Sequence, residues 1–225
     1  MIPWIVLDTA KVPDGRDELR LKQRGSEFSI MLGSNELMNS RLSGSEEALA
    51  KLSWEKIKGR QKPKMLIGGL GMGFTLRAAL KELPQDAQIT VVELVPAVVA
   101  WARGPMAEVY GDCLSDPRVT IEEDDVASFI KAGSKAWDAI LLDVDNGPEA
   151  LTRDENDRIY DQRGLRAART ALTPGGVLSV WSSAPDTKFT RRLQGCGFTV
   201  EEARVHASGR GKGGGARHMI WLATA

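Results

Sequence analysis

The chain has 225 residues, and its 30 Lys and Arg balance its 30 Asp and Glu, giving a formal net charge of zero at neutral pH. That balance excludes a whole-molecule field that would draw in nucleic acid or an anionic membrane. Two cysteines, Cys113 and Cys196, are too few for a disulfide framework and suit a reducing cytoplasm, and no run approaches the roughly 18 apolar residues of a membrane span.

The opening, MIPWIVLDTAKVPDGRDE, carries acids early and has no long apolar stretch, so it does not read as a secretory signal. WIVLDTA, ELRLKQRG and EFSIMLG alternate like strands and are separated by turn residues, which predicts a small antiparallel β region over residues 1–44. Such a meander buries little by itself, so it is expected to fold over the site or to pack on a second subunit, a homodimer being the simplest assembly. From residue 45 the period changes. SEEALAKLSWEKI has helical spacing with Ser45 as its cap.

Beyond Pro63 strands and helices alternate. KMLIG, ITVVE, RVTIEE, WDAILLD and GGVLSVWSS read as strands; FTLRAALKEL, PAVVAWARGPM, DVASFIKAG, YDQRGLRAARTAL and FTRRLQGCG read as helices between or after them. The alternation predicts a doubly wound α/β domain over residues 45–225, its seven-stranded sheet mostly parallel and covered on both faces. The last two strands, FTVEEARV and RHMIWLA, are joined by the glycine-rich HASGRGKGGGA, so the final strand should run antiparallel. SGRGKGGGAR, which overlaps that loop, also has an RGG-like composition, but its three basic residues make a small electrostatic footprint, and a hairpin loop is the simpler reading.

The stretch MLIGGLGMG places four glycines within six residues after a short apolar strand. It lacks the Lys and Ser/Thr of a phosphate-binding P-loop. It is GxGxG at Gly69, Gly71 and Gly73, with Phe74 where a dinucleotide fingerprint has its third glycine. A tight turn without a ligand is the plain alternative. Glu93 closes the next strand in VVELVP, where a carboxylate can accept from two ribose hydroxyls, and Asp125 follows the third strand, where it can accept from an adenine amino group. Two acids at successive strand ends suit S-adenosylmethionine better than a dinucleotide. Singly, each acid also reads as a solvated helix cap.

The succession LIGGLGMG, VVELVP, RVTIEEDDVASF, WDAILLDVDNGP and LTPGGVLSVWSS resembles the class I S-adenosylmethionine-dependent methyltransferase fold, and within it the spermidine synthase-like branch, over roughly residues 28–223. The resemblance implies a transferase of polyamine metabolism. Its co-substrate would be S-adenosylmethionine or decarboxylated S-adenosylmethionine, its group a methyl or aminopropyl, its acceptor a small amine, with no metal. It assigns Gly69, Gly71, Gly73, Glu93 and Asp125 to the nucleoside and Asp143 to the base that prepares the amine. It also assigns Glu47, Asp145 and Tyr160 to the acceptor. The chain departs from the family pattern in reading DVDNGP after the fourth strand, with Asn146 for an acid, and in carrying Ser45 where a tyrosine is usual. A methyltransferase of some other substrate, or a nucleoside-binding protein without catalysis, remains compatible. His206 and His218 are far apart in the terminal strands, with no metal-ligand spacing to either cysteine.

Overall fold

The computed structural model describes residues 2–13, 18–144, 157–208 and 216–225. Four strands, β1 (Ile5–Lys11), β2 (Glu18–Arg24), β3 (Glu27–Leu32) and β4 (Asn35–Asn39), form an antiparallel meander in that order. β4 was not expected from the sequence. Its partner strand shifts register between Ile30 and Met31, and NELMN has no alternating period.

The remainder is the α/β layer structure. In chain order it comprises α1 (Gly44–Ile57), β5 (Lys64–Gly68), α2 (Phe74–Glu82), β6 (Gln88–Glu93), α3 (Pro96–Arg103) and α4 (Ala107–Tyr110). A 3-10 turn (Gly111–Ser115) leads into β7 (Val119–Glu123), α5 (Val126–Ala132), β8 (Trp137–Leu142), α6 (Asp157–Tyr160), α7 (Gln162–Ala171) and β9 (Leu172–Ser182). α8 (Thr187–Gly195), β10 (Thr199–His206) and β11 (Arg217–Thr224) close the chain. The seven strands lie in the order β10-β11-β9-β8-β5-β6-β7, with β11 antiparallel to both neighbours and the others parallel where they meet. This is the expected doubly wound sheet. Leu172, expected at the end of a helix, instead opens β9 opposite Trp137.

Continuous apolar runs in the central strands, Met65 to Ile67 and Ala139 to Leu142, bury both faces of the sheet. Met65 and Ile67 of β5 face a core shared with α1, α2 and α3, while Leu66 between them faces the core under α5, α7 and α8. Among the described residues the small sheet has no separate core. Leu19, Leu21, Phe28 and Ile30 join the first of these clusters, and the Trp101 indole of α3 donates to the Asp8 carboxylate of β1 at 2.7 Å. Of the two outcomes expected for the N-terminal region, folding over the α/β layer is observed. No helix among the described residues is long and apolar enough to cross a membrane.

Candidate active site

β5 and β8 are adjacent, so the turn after one and the acid after the other emerge together at the carboxyl edge of the sheet, where open α/β sheets place ligands. Gly69 has φ +88°, and a Cβ there would sit 2.6 Å from the Asp143 carbonyl oxygen. Only glycine allows that approach. The turn is tied to its neighbours by Gly69 N–H donating to the Val92 carbonyl at 2.8 Å and Asp143 N–H to the Gly68 carbonyl at 3.1 Å.

The Glu93 carboxylate, 8% exposed, closes this turn from the other side. Its two oxygens accept from the Leu70 amide at 2.8 Å and the Val95 amide at 2.9 Å. Burial raises its pKa, against the pull of those backbone donors. Asp125 caps α5 by accepting from the Ala127 amide at 2.9 Å through Oδ1, and it is exposed.

Gly69, Gly71, Glu93, Asp124, Asp125 and Asp143 line one side of a cleft of about 940 Å³, part of it open to solvent. The opposite wall comes from the small sheet, through Val12, Leu19, Ile30, Leu32, Leu37 and Met38. Mostly apolar walls with a few convergent polar groups are the usual make-up of a small-molecule site. Gly73 is not among the lining residues. It caps α2 with φ +73°, under the Tyr110 ring, where a Cβ would meet ring carbons at 2.5 Å.

A second cleft, of about 590 Å³, opens on the other side of Asp143 and shares Leu37, Met38, Gly71 and Asp143 with the first. Asp143 accepts from the Thr75 hydroxyl at 2.6 Å. Its carboxyl is pushed up to about 7, chiefly by burial and further by repulsion from Glu46, with Thr75 opposing. Glu46 is likewise raised, first by burial. Its Oε2 accepts from the Ser45 hydroxyl at 2.7 Å, and that hydroxyl lies 2.9 Å from His218 Nδ1. Trp181 and His218 meet edge to face at 4.7 Å between centroids.

The acceptor-side residues expected from the sequence are placed differently. Glu47 is exposed and bonds Ser43, whereas Glu46 turns into the cleft. The helix starts at Gly44, so the buried stripe runs through Ser45, Leu49, Ala50 and Ser53 and carries its neighbour Glu46, not Glu47, to the site. Ser45 is accordingly no helix cap. Tyr160 is fully buried, edge-on to Phe189 at 5.7 Å in the core beneath α8, and lines neither cleft. Asp145 lies outside the described residues. Glu46 and Thr75 went unnoticed in the sequence. Their signals, helix phase and a hydroxyl two residues past the last glycine, are faint without the fold. Among the described residues no group of three or more His, Cys, Asp or Glu could hold a metal ion.

The spermine/spermidine synthase domain profile matches residues 44–190. The chain belongs to that family. It is 30% identical over 151 residues to the polyamine aminopropyltransferase of Mycobacterium tuberculosis, covering 63% of this chain and 28% of that protein. Putrescine N-methyltransferase 3 of Nicotiana tabacum is 35% identical over 124 residues, covering 52% of this chain and 31% of that protein. The chain thus spans less than a third of the length of these relatives. The spermidine synthase structure from Thermotoga maritima superposes with a TM-score of 0.76 at 18% identity, over 97% of this chain and 72% of that one. Human methyltransferase-like protein 13 in complex with SAH gives 0.55 at 21% identity, over 79% and 78%. The structural likeness establishes the class I methyltransferase fold.

Proposed function

We propose that the protein is a transferase that moves an aminopropyl group from decarboxylated S-adenosylmethionine to a small amine. The observation that carries this reading is the position of Asp143 at the junction of two clefts whose charged lining, among the described residues, is entirely acidic: Glu46, Glu93, Asp124, Asp125 and Asp143. A nucleoside ending in an ammonium suits such a lining. The ordinary cofactor adds a carboxylate, for which these residues offer no cationic side chain.

The first cleft fits the adenosyl group. Gly69 and Gly71 leave room where a Cβ would intrude, Glu93 stands where ribose hydroxyls would donate, and Asp125 has an oxygen free of its capping bond for the adenine. When bound, the nucleoside supplies a sulfonium-activated carbon: the amine lone pair forms the new C–N bond as the C–S bond breaks, and the sulfur keeps that electron pair. The protein's part is to hold and deprotonate the acceptor. An alkylammonium has a pKa near 10 and cannot attack until it loses a proton. Glu46 and Asp143 attract the cation, and Asp143, titrating near neutrality, is matched to accept its proton. A reducing cytoplasm suits the two buried free thiols, Cys113 and Cys196.

Methyl transfer is the second reading, favoured by the identity to putrescine N-methyltransferases. Calorimetric titration with decarboxylated S-adenosylmethionine, S-adenosylmethionine and methylthioadenosine separates the two. Tighter binding of the decarboxylated form is expected. Preference for the carboxylated form transfers the proposal to methylation, and failure to bind any of the three removes it.

A further inference from the structure

The start of α1 is tied to the end of the terminal hairpin, where the Gly44 amide donates to the Ala207 carbonyl at 2.9 Å. Ser45, with no exposed surface, is thereby held against His218 of β11. Its hydroxyl donates to Glu46 Oε2 at 2.7 Å and lies 2.9 Å from His218 Nδ1. Trp181 of β9, which lines the second cleft with Glu46, braces the imidazole edge to face. β10 sets the apolar Val205 opposite His218, and Arg217 and His206, paired one residue along, face the other side of the sheet. The acid that meets the imidazole is therefore Glu46, through Ser45.

A serine hydroxyl has one proton to give, and an ionised carboxylate can only accept. With Glu46 charged, Ser45 gives that proton to the carboxylate, so the contact with His218 has to be donated by the ring, from Nδ1–H. With Glu46 protonated the direction can reverse: the carboxyl donates to Ser45, and Ser45 donates to a bare Nδ1 on a ring that carries its proton at Nε2.

We infer that Ser45 and His218 are positioning residues that hold Glu46, ionised, at the second cleft as an anchor for the acceptor's ammonium; the inference rests on the amine-transfer reading above. The charge on Glu46 is then matched by the tautomer of His218. Burial raises the Glu46 pKa and Glu47 adds to it, while the Ser45 hydroxyl pulls it down. Removing that hydroxyl favours the uncharged acid, which holds an ammonium poorly. Burial lowers the pKa of His218, so near neutrality the ring is uncharged and its tautomer follows the hydrogen bond it makes. An ammonium beside Glu46 stabilises the charged carboxylate in turn, so amine binding and the Nδ1–H ring favour each other.

Nitrogen-15 NMR of the two imidazoles tests the network directly, with His206→Gln assigning His218. At about pH 8, with methylthioadenosine and putrescine added, His218 should be the Nδ1–H tautomer. An Nε2–H ring overturns the inference, because Ser45 would then be donating to it. Putrescine affinity, measured by calorimetry on the protein saturated with methylthioadenosine, tests the anchor. Ser45→Ala should weaken binding about tenfold, and His218→Phe, which keeps a ring against Trp181, about threefold. Glu46→Gln should weaken it at least about tenfold, and in that background neither change should add a further loss, since both act through the carboxylate. Losses that add, a Ser45→Ala protein that binds as tightly as the parent, or a parent that binds no putrescine at millimolar concentration overturns it. Turnover judges the transfer reading separately. The expected binding pattern without methylthioadenosine release from decarboxylated S-adenosylmethionine sinks transfer and leaves the anchor standing, whereas release by proteins whose losses add sinks the anchor alone.

Discussion

Replacing Asp143 with Asn isolates the charge, because the amide keeps the shape and an oxygen for the Thr75 hydroxyl. The carboxyl sits at about 7 in the folded protein against an ordinary 3.8, raised first by burial and then by Glu46. The folded state therefore holds a proton that the unfolded chain has already released, so this group's stabilisation is complete below the unfolded pKa and is lost as pH rises through about 7. The gap, 7 − 3.8, or about 3 pH units, corresponds to roughly 4 kcal/mol at 1.36 kcal/mol per unit. Water entering the open cleft reduces that, so about 1 to 3 kcal/mol is expected. Asn pays no such cost. Urea unfolding should show D143N close to the parent near about pH 4 and more stable by that amount near about pH 8. In the same variant turnover should fall at least about a hundredfold while affinity for the uncharged methylthioadenosine holds, because Gly69, Gly71, Glu93 and Asp125 are unchanged. A variant no more stable than the parent above neutrality would refute the buried-charge account, and one that turns over within a few-fold would reduce Asp143 to a loop residue.

Glu93→Gln should weaken nucleoside binding by about 2 kcal/mol in calorimetry, the scale of hydrogen bonds to a charged acceptor. Glu93→Ala should in addition lower the melting temperature, since it strands the Leu70 and Val95 amides that the carboxylate satisfies. Gly73→Ala forces a Cβ onto the Tyr110 ring at positive φ and should cost about 2 kcal/mol or more of unfolding free energy, whereas Gly195→Ala, which meets nothing within 4 Å, should be near neutral. Among the described residues strand β1 pairs with β2 alone, and it exposes Ile5, Val6 and Leu7, so light scattering at tens of micromolar should report a homodimer that Val6→Lys converts to monomer. A parent that is monomeric under those conditions removes this expectation.

How legible these features were in the sequence follows from what produces each signal. Central strands buried on both faces must be continuously apolar, so KMLIG and AILL announced themselves. The acids that end such strands, Glu93 and Asp143, stood out for the same reason: the chain leaves the core there, and a carboxylate at that point is a choice rather than a filler. The glycine turn was equally plain, because Gly69 cannot carry a side chain beside the Asp143 carbonyl. Even so, its third glycine serves packing against Tyr110, a distinction that only the tertiary contact reveals.

The second cleft is written in a weaker code. Whether Glu46 or Glu47 reaches the cleft depends on the residue at which α1 begins, and a one-residue change turns a side chain by about 100° around the helix. Tyr160 lies where family resemblance places a pocket residue, but α6 and α7 carry its ring against Phe189. β4, which brings Leu37 and Met38 over both clefts, is five residues long with a register shift in its partner strand, so neither its existence nor its facing could be read from period. The asymmetry has a physical origin. Glu93, Asp125 and Asp143 come to the clefts from the ends of core strands, whose positions the sheet dictates, whereas Glu46 reaches the second cleft through one helix phase, and Leu37 and Met38 reach both through one short edge strand, which can change without disturbing the sheet. The sheet-borne part of the site can therefore stay constant on this scaffold while the second cleft varies.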